Sequence, residues 1–295
     1  MSKVDDVYKA VTDKIVTAIE NGANPKDWKM PWNAFTTVPV NAITKVYYRG
    51  GNILTFWLAS ELAEYTSNEW ATYRQWESIG AQVRKGEKGT LGVKWTPVSS
   101  KEPKAGDDED SSSRLIPLTF TVFNAAQVDG YTPEVLPEVP DVAMIDHAEE
   151  LLFTNTGVKV VRSQKAAYSP ARDVVMLPAR KQFHDSVGYY STAAHEVAHW
   201  TGHSSRLGRN TKTALFGSAP YAVEELVAEL SAAFTCARLG ISSEPRPDHA
   251  QYVTSWMKVL KEDSRAIFKA ATLAQKATDF IFDFTDPRES VEDAV

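Results

Sequence analysis

One cysteine in 295 residues leaves no partner for an internal disulfide. Cys236 therefore reads as a small packed side chain, and the chain as one suited to a reducing cytoplasm. No apolar run approaches the ~20 residues of a membrane span, and no charged-then-apolar leader opens the chain, so neither membrane insertion nor secretion is expected. A general basic excess is missing as well: 32 Lys and Arg face 38 Asp and Glu, a net charge of −6. With 43% hydrophobic and 24% charged residues the composition is that of a soluble globular protein, long enough for two domains with a core each.

Histidine is scarce at six, which makes its spacing informative. The stretch Thr192-Ala-Ala-His-Glu-Val-Ala-His-Trp-Thr-Gly-His203 contains His-Glu-x-x-His in a segment of helical composition. On a helix, His195 and His199 project from one face a turn apart, the spacing at which two imidazoles reach one Zn²⁺. Glu196 lies between them, placed to reach a metal-bound water. The third ligand is expected in Ala219-Pro-Tyr-Ala-Val-Glu-Glu-Leu-Val-Ala-Glu-Leu-Ser-Ala-Ala-Phe234, a second helix with Pro220 in its first turn. Glu225 and Glu229 share one face of it. One can ligate the metal while the other holds a ligand imidazole by its far N–H, and the spacing leaves open which does which. Tyr221, near the start of that helix, can donate to an oxyanion or pack as a core aromatic. A third histidine in the longer metzincin pattern is excluded, because Ser205 occupies its position and His203 comes two residues early. His203 and Arg206 can contact substrate or DNA, or satisfy helix-end carbonyls.

The net charge hides an uneven distribution. Residues 1–98 carry 12 basic against 10 acidic residues (+2), residues 99–140 carry 3 against 8 (−5), and residues 141–295 carry 17 against 20 (−3). The first third is the only positive segment, and it holds six of the eight tryptophans. Within it, Arg74 to Lys94 contains five basic and two acidic residues, a local +3 beside aromatics and glycines. Two readings are open. Tryptophans mostly pack and charge runs mostly solvate, which makes a small core with a solvated hairpin. Alternatively this is a single-strand platform, with phosphates on the cations and bases on the rings. Its candidate residues are Tyr48, Arg49, Trp76, Arg84, Lys85 and Lys88.

Along the chain, Val4, Tyr8, Val11, Ile15 and Ile19 recur at three and four, an amphipathic helix closed by Asn21-Gly22. A second helix begins near Ile53, after the Gly50-Gly51 turn. Leu91 to Val98 and Leu115 to Phe123 alternate as strands. Between them lies a polar, acidic insert (about 99–114), expected to be a disordered hairpin tip that competes with phosphate for a basic groove. Three prolines in residues 131–140 mark a linker. Beyond it a helix over residues 142–153, short strands near 158–162, 166–169 and 173–177, the two metal-site helices, and helices near 249–260 and 265–280 are expected. Residues 166–177 are read as an edge that meets an extended peptide. The fold class is α+β in two domains, residues 1–130 and 141–295.

Several motifs together resemble the ArdC family of antirestriction proteins of conjugative plasmids, over nearly the whole chain. They are Met30-Pro-Trp32, Tyr48-Arg49-Gly50 with Asn52, Trp70 with Thr72-Tyr73, Val83-Arg-Lys-Gly-Glu-Lys-Gly-Thr90, Val122-Phe-Asn-Ala-Ala-Gln127, His195-Glu-Val-Ala-His-Trp-Thr-Gly-His-Ser-Ser-Arg-Leu207 and Tyr221-Ala-Val-Glu-Glu-Leu-Val-Ala-Glu229. The resemblance implies an N-terminal domain that binds single-stranded DNA and a C-terminal zincin-like metallopeptidase domain. It also implies a role in protecting incoming plasmid DNA from restriction. By the same resemblance His195 and His199 are zinc ligands, Glu196 is the general base, and Glu225 is favoured as third ligand with Glu229 behind it. The implied partners are single-stranded DNA and an unidentified protein substrate, for which a host restriction component is one candidate. Thr44-Lys45 stands where the family usually has Thr-Gly, and Gly51 where a larger apolar residue is common. The alternatives are a DNA-shielding protein whose zinc is structural, and a general peptidase whose basic region binds protein.

Overall fold

The computed structural model describes residues 2–21, 37–98, 114–134, 141–209, 219–241 and 250–283. The chain begins with α1 (Lys3–Asn21), whose Val4, Val7, Tyr8, Val11, Ile15 and Ile19 form one buried stripe. The alternating segments pair as an antiparallel hairpin, β4 (Thr90–Val98) with β5 (Arg114–Asn124). With β1 (Val40–Asn41) and β2 (Glu69–Ala71) they form a sheet of order β1-β2-β5-β4, in which β1 and β2 run parallel. A smaller antiparallel pair joins β3 (Gln82–Val83) to β6 (Val128–Asp129). The acidic insert lies, over residues 99–113, outside the described residues.

A helix stretch that is apolar all round must be covered all round, and in α2 (Gly51–Ala63) residues Ile53 to Leu58 are. Its Phe56 packs with Trp70 and Val122 on the sheet, while Ile53, Leu54, Trp57 and Leu58 enter a separate helical core. The short helix α3 (Tyr73–Ser78) starts at a capping box. Thr72 Oγ1 accepts from the Gln75 N–H at 3.3 Å, and Gln75 Oε1 accepts from the Thr72 N–H at 2.9 Å. That box drives Trp76 into a small core with Ala71, Val83 and Val128.

After the linker, whose residues 135–140 lie outside the described ones, α4 (Asp141–Glu149) runs into a π-helical turn over Glu150–Asn155. A three-stranded sheet follows, with β9 (Val174–Leu177) between parallel β7 (Val160–Arg162) and antiparallel β8 (Ala167–Ser169). Four helices complete it: α5 (Ser186–Thr201), α6 (Ala219–Leu239), α7 (Ala250–Glu262) and α8 (Ala266–Phe282). The largest apolar core does not respect the linker. Ile15 of α1 and Trp57 of α2 share it with Phe234 of α6, Trp256 of α7 and Ile267 of α8. At Gly51 a Cβ would stand 2.2 Å from Cδ1 of Phe268, so the α8 phenyl ring fills the space that a larger side chain would need.

Lys45, at the other departure from the family pattern, adopts φ 58°. That left-handed conformation costs a residue with a Cβ about 1 kcal/mol, and glycine almost nothing. The side chain offsets it: Lys45 Nζ lies 2.8 Å from the carboxylate of Glu69 and 3.3 Å from that of Glu134. The Glu69 side chain is only 5% exposed and also accepts from the Tyr131 hydroxyl at 3.0 Å. Two substitutions separate backbone from charge. Lys45→Gly loses the ion pairs and relieves the strain, whereas Lys45→Ala loses them and keeps it. Chemical denaturation should find Lys45→Ala the less stable by about 1 kcal/mol; equal midpoints would mean that the backbone there carries no strain.

Candidate metal centre

Helix α5 is capped by Asp185, whose Oδ1 accepts from the Gly188 N–H at 2.8 Å. Ala193, Ala194 and Ala198 are fully buried, and such small side chains let α6 lie close against α5. Imidazoles of one helix thereby meet carboxylates of the next. His195 Nε2 and His199 Nε2 are 3.1 Å apart, and each lies 3.6 Å from a different oxygen of Glu225. Ligands held tetrahedrally around zinc at about 2.0–2.2 Å are roughly 3.3–3.5 Å from one another. The His195, His199 and Glu225 donors therefore outline one face of such a tetrahedron. Among the described residues no further His, Cys, Asp or Glu joins them.

The far nitrogens each face a carboxylate, as metal-site imidazoles usually do. His195 Nδ1 lies 2.8 Å from Glu229 Oε1, and His199 Nδ1 lies 3.3 Å from Glu224 Oε1. Glu229 thus stands behind His195, on the side away from the donor triangle, and it is Glu225 whose oxygens lie beside both Nε2 atoms. Glu224 was not anticipated. It is clamped by Arg209, with Nε to Oε2 at 3.0 Å and Nη2 to Oε1 at 2.9 Å. Arg209 also donates to Thr201 Oγ1 at 2.8 Å and to the Ala198 carbonyl at 2.6 Å. A Cβ on Gly202 would come 2.9 Å from this guanidinium. Gly202 is therefore explained by the arginine lying over it.

Electrostatics favour a dication. Glu224, Glu225 and Glu229 are each largely buried, Glu224 against the guanidinium of Arg209 and the other two against the imidazoles. With neutral imidazoles the carboxylates of this group outnumber the guanidinium beside them, and buried charge is costly unless it is compensated. Without a metal, protons must compensate. Burial alone would depress the pKa of His199, but the Glu225 and Glu224 carboxylates outweigh it and raise it well above the ordinary imidazole range. Burial would likewise raise Glu225, and His199 and His195 overcome it, pulling its pKa far down.

The remaining candidates separate. Tyr221 is half-buried and packs against the shared helical core. Arg206 satisfies the helix end, as one of its two readings held: its Nε donates to the Trp200 carbonyl at 2.6 Å, and its guanidinium lies 4.0 Å above the Trp200 ring. It also bonds Asp173 Oδ1 at 2.5 Å, tying the β8–β9 turn to α5. Trp76 is fully buried and donates its indole N–H to the Phe123 carbonyl at 3.1 Å. The base-stacking role expected of it is corrected, because no face of the ring is open. Tyr48 is enclosed by Phe56 and Phe120, and its hydroxyl donates to the Trp70 carbonyl at 3.3 Å, so it too packs rather than presents a ring. Arg49 is exposed and paired with Asp279. Arg84 is engaged by Glu87, Asp129 and the Ala126 carbonyl. Lys85 and Lys88 are exposed.

A helix bearing His-Glu-x-x-His, backed by a small mixed sheet and completed by a glutamate from the next helix, defines a zincin-like metallopeptidase domain. A family model described as zincin-like metallopeptidase matches residues 146–273, and one described as the N-terminal domain of anti-restriction factor ArdC matches residues 5–123. The crystal structure of antirestriction ArdC protein from R388 plasmid, metal-free, is similar with a TM-score of 0.75 and 37% identity, over 95% of this chain and 97% of that one. Its Mn(II)-bound structure is similar with a TM-score of 0.75 and 36% identity, over 96% and 99%. An uncharacterized protein, y4eC, of Sinorhizobium fredii is 42% identical over 284 residues, 94% of this chain and 91% of that protein. DNA primase TraC of Escherichia coli is 35% identical over 298 residues, which are 94% of this chain but 20% of that protein. The chain belongs to the ArdC family of antirestriction proteins. No helix among the described residues is long and apolar enough to cross a membrane.

A metal that binds through His199 must displace the proton held there by Glu225 and Glu224. Zinc affinity, measured by competition with a chromogenic chelator, should accordingly keep rising with pH above the ordinary imidazole pKa of about 6.5. Glu224→Gln should weaken zinc binding about 10- to 100-fold. An affinity flat above about pH 7, with Glu224→Gln like wild type, would contradict this account of the site.

Proposed function

We propose that this chain is a single-stranded-DNA-binding antirestriction protein whose metal centre cleaves a peptide bond, and that it protects conjugative DNA entering a restricting recipient. The observation that carries the catalytic half is the set of three donors among the described residues: a structural zinc site is closed by four protein ligands, whereas a catalytic one has three and keeps a position for water. His195, His199 and Glu225 would hold the zinc. When bound there, a zinc ion polarises the scissile carbonyl and brings the pKa of its water toward ~7.

The chain's own residues do the rest. Glu196, next to His195 on α5 and 3% exposed, takes a proton from the attacking water and returns it to the leaving amine. Its burial keeps competing solvent away. Glu229 and Glu224 fix the two imidazoles through their Nδ1 atoms. Tyr221 donates to the developing oxyanion, and the β8 edge aligns an extended peptide. The substrate is a protein met on single-stranded DNA, with a host restriction component as one candidate. Lys85 and Lys88 contribute phosphate contacts.

Glu196→Gln separates this reading from that of a shielding protein with a structural metal. The variant should fold, hold zinc and fail to protect a plasmid transferred into a restricting recipient. Protection at the wild-type level would assign the function to DNA binding and the metal to the fold.

A further inference from the structure

Of the six tryptophans among the described residues, five are buried and Trp95 is 56% exposed. It lies on β4 two residues after Val93, and so on the same face of the hairpin. Val93 enters the shared helical core, whereas Trp95 stands just beyond it. Leu115, two residues along β5 from Trp95's partner Pro117, is 54% exposed on that face as well. The hairpin thus carries exposed apolar side chains past the end of the core. Trp95 also lines a cleft of ≈ 670 Å³ between the hairpin and α8.

The rim of the cleft is basic. Arg49, Arg265, Lys269 and Lys276 face Asp5 and Asp279, four positive charges against two negative, in a chain whose net charge is −6. Asp5 pairs with Arg265 at 2.6 Å, and Asp279 with Arg49. Lys269 reaches Asp263 at 2.8 Å, with its side chain 66% exposed. No carboxylate among the described residues is in ion-pair reach of Lys276. A polyanion with flat apolar bases meets both features, the cations along the rim and the ring beside them. The indole of Trp76, by contrast, is buried.

We infer that this cleft is where single-stranded DNA is held, a base stacking on Trp95 while Lys269 and Lys276 of α8 neutralise the neighbouring phosphates. The inference rests on the reading that the chain binds single-stranded DNA, and it assigns part of that binding to the helix that also packs against α5 and α6. Gly50 fixes one wall of the site, its N–H donating to Gln275 Oε1 of α8 at 2.9 Å.

Fluorescence anisotropy of a labelled oligothymidylate, titrated with the full chain at several salt concentrations, tests it once each variant is shown to melt with wild type. Trp95→Ala should weaken binding about tenfold without changing the salt slope, and Trp95→Tyr should recover most of the loss. Lys269→Gln with Lys276→Gln should reduce the slope by about 1.4, two phosphates at ~0.7 each. If wild type binds and these variants bind identically, the cleft is not the site and the broader reading stands. If wild type does not bind the oligonucleotide, that reading falls and the inference with it.

Discussion

The constraint on which this structure depends is the burial of acidic side chains between α5 and α6. Glu196, Glu224, Glu225 and Glu229 all lie where water cannot solvate them well, against two imidazoles and one guanidinium. Such a cluster is affordable only if each carboxylate has a cationic or proton-donating partner. Glu224, Glu225 and Glu229 each have a distinct one. Glu224 has Arg209, Glu229 has the far nitrogen of His195, and Glu225 faces both Nε2 atoms, where a dication would sit. The alanines of α5 follow from the same demand, because bulkier side chains would hold the two helices too far apart for the donors to converge.

The metal-site helices are fastened in turn to the rest of the chain through α8. It packs against both α5 and α6, and Ser231 of α6 lies within 3.5 Å of the Ala274 carbonyl. From its other side it receives the Tyr48-Arg49-Gly50 turn, with Gln275 holding Gly50 and Asp279 holding Arg49. The N-terminal region is therefore joined to the metal-site helices through α8. Trp57 and Phe234, whose ring centroids are 5.8 Å apart, make the same join through side chains.

What was legible in the sequence was whatever has a period or a fixed chemical spacing. The stripe of α1, the alternation of β4 and β5, and the imidazole pair of α5 all have one, and the structure places them as read. The ambiguous cases are those in which two environments favour the same residue. Trp76 beside basic residues reads alike whether the indole is stacked on a base or buried; the capping box at Thr72 and Gln75 was the local signal that it turns inward. Glu225 and Glu229 are equivalent by spacing; the resemblance favours Glu225, and the position of α6 against α5 sets its oxygens beside both Nε2 atoms and Glu229 beside the far nitrogen of His195. Arg209 belongs to no periodic segment, so nothing local announces it, although Gly202 marks the place where its guanidinium lies.

The central claim is that His195, His199 and Glu225 form a three-donor centre with Glu229 and Glu224 behind the imidazoles. X-ray absorption on the zinc-loaded chain tests it most directly. The account predicts a four-coordinate shell of two imidazole nitrogens and two oxygens, one oxygen exchangeable with solvent, and loss of one protein oxygen in Glu225→Ala but not in Glu229→Ala. A shell closed by four protein ligands, or one that loses its oxygen in Glu229→Ala instead, would contradict it.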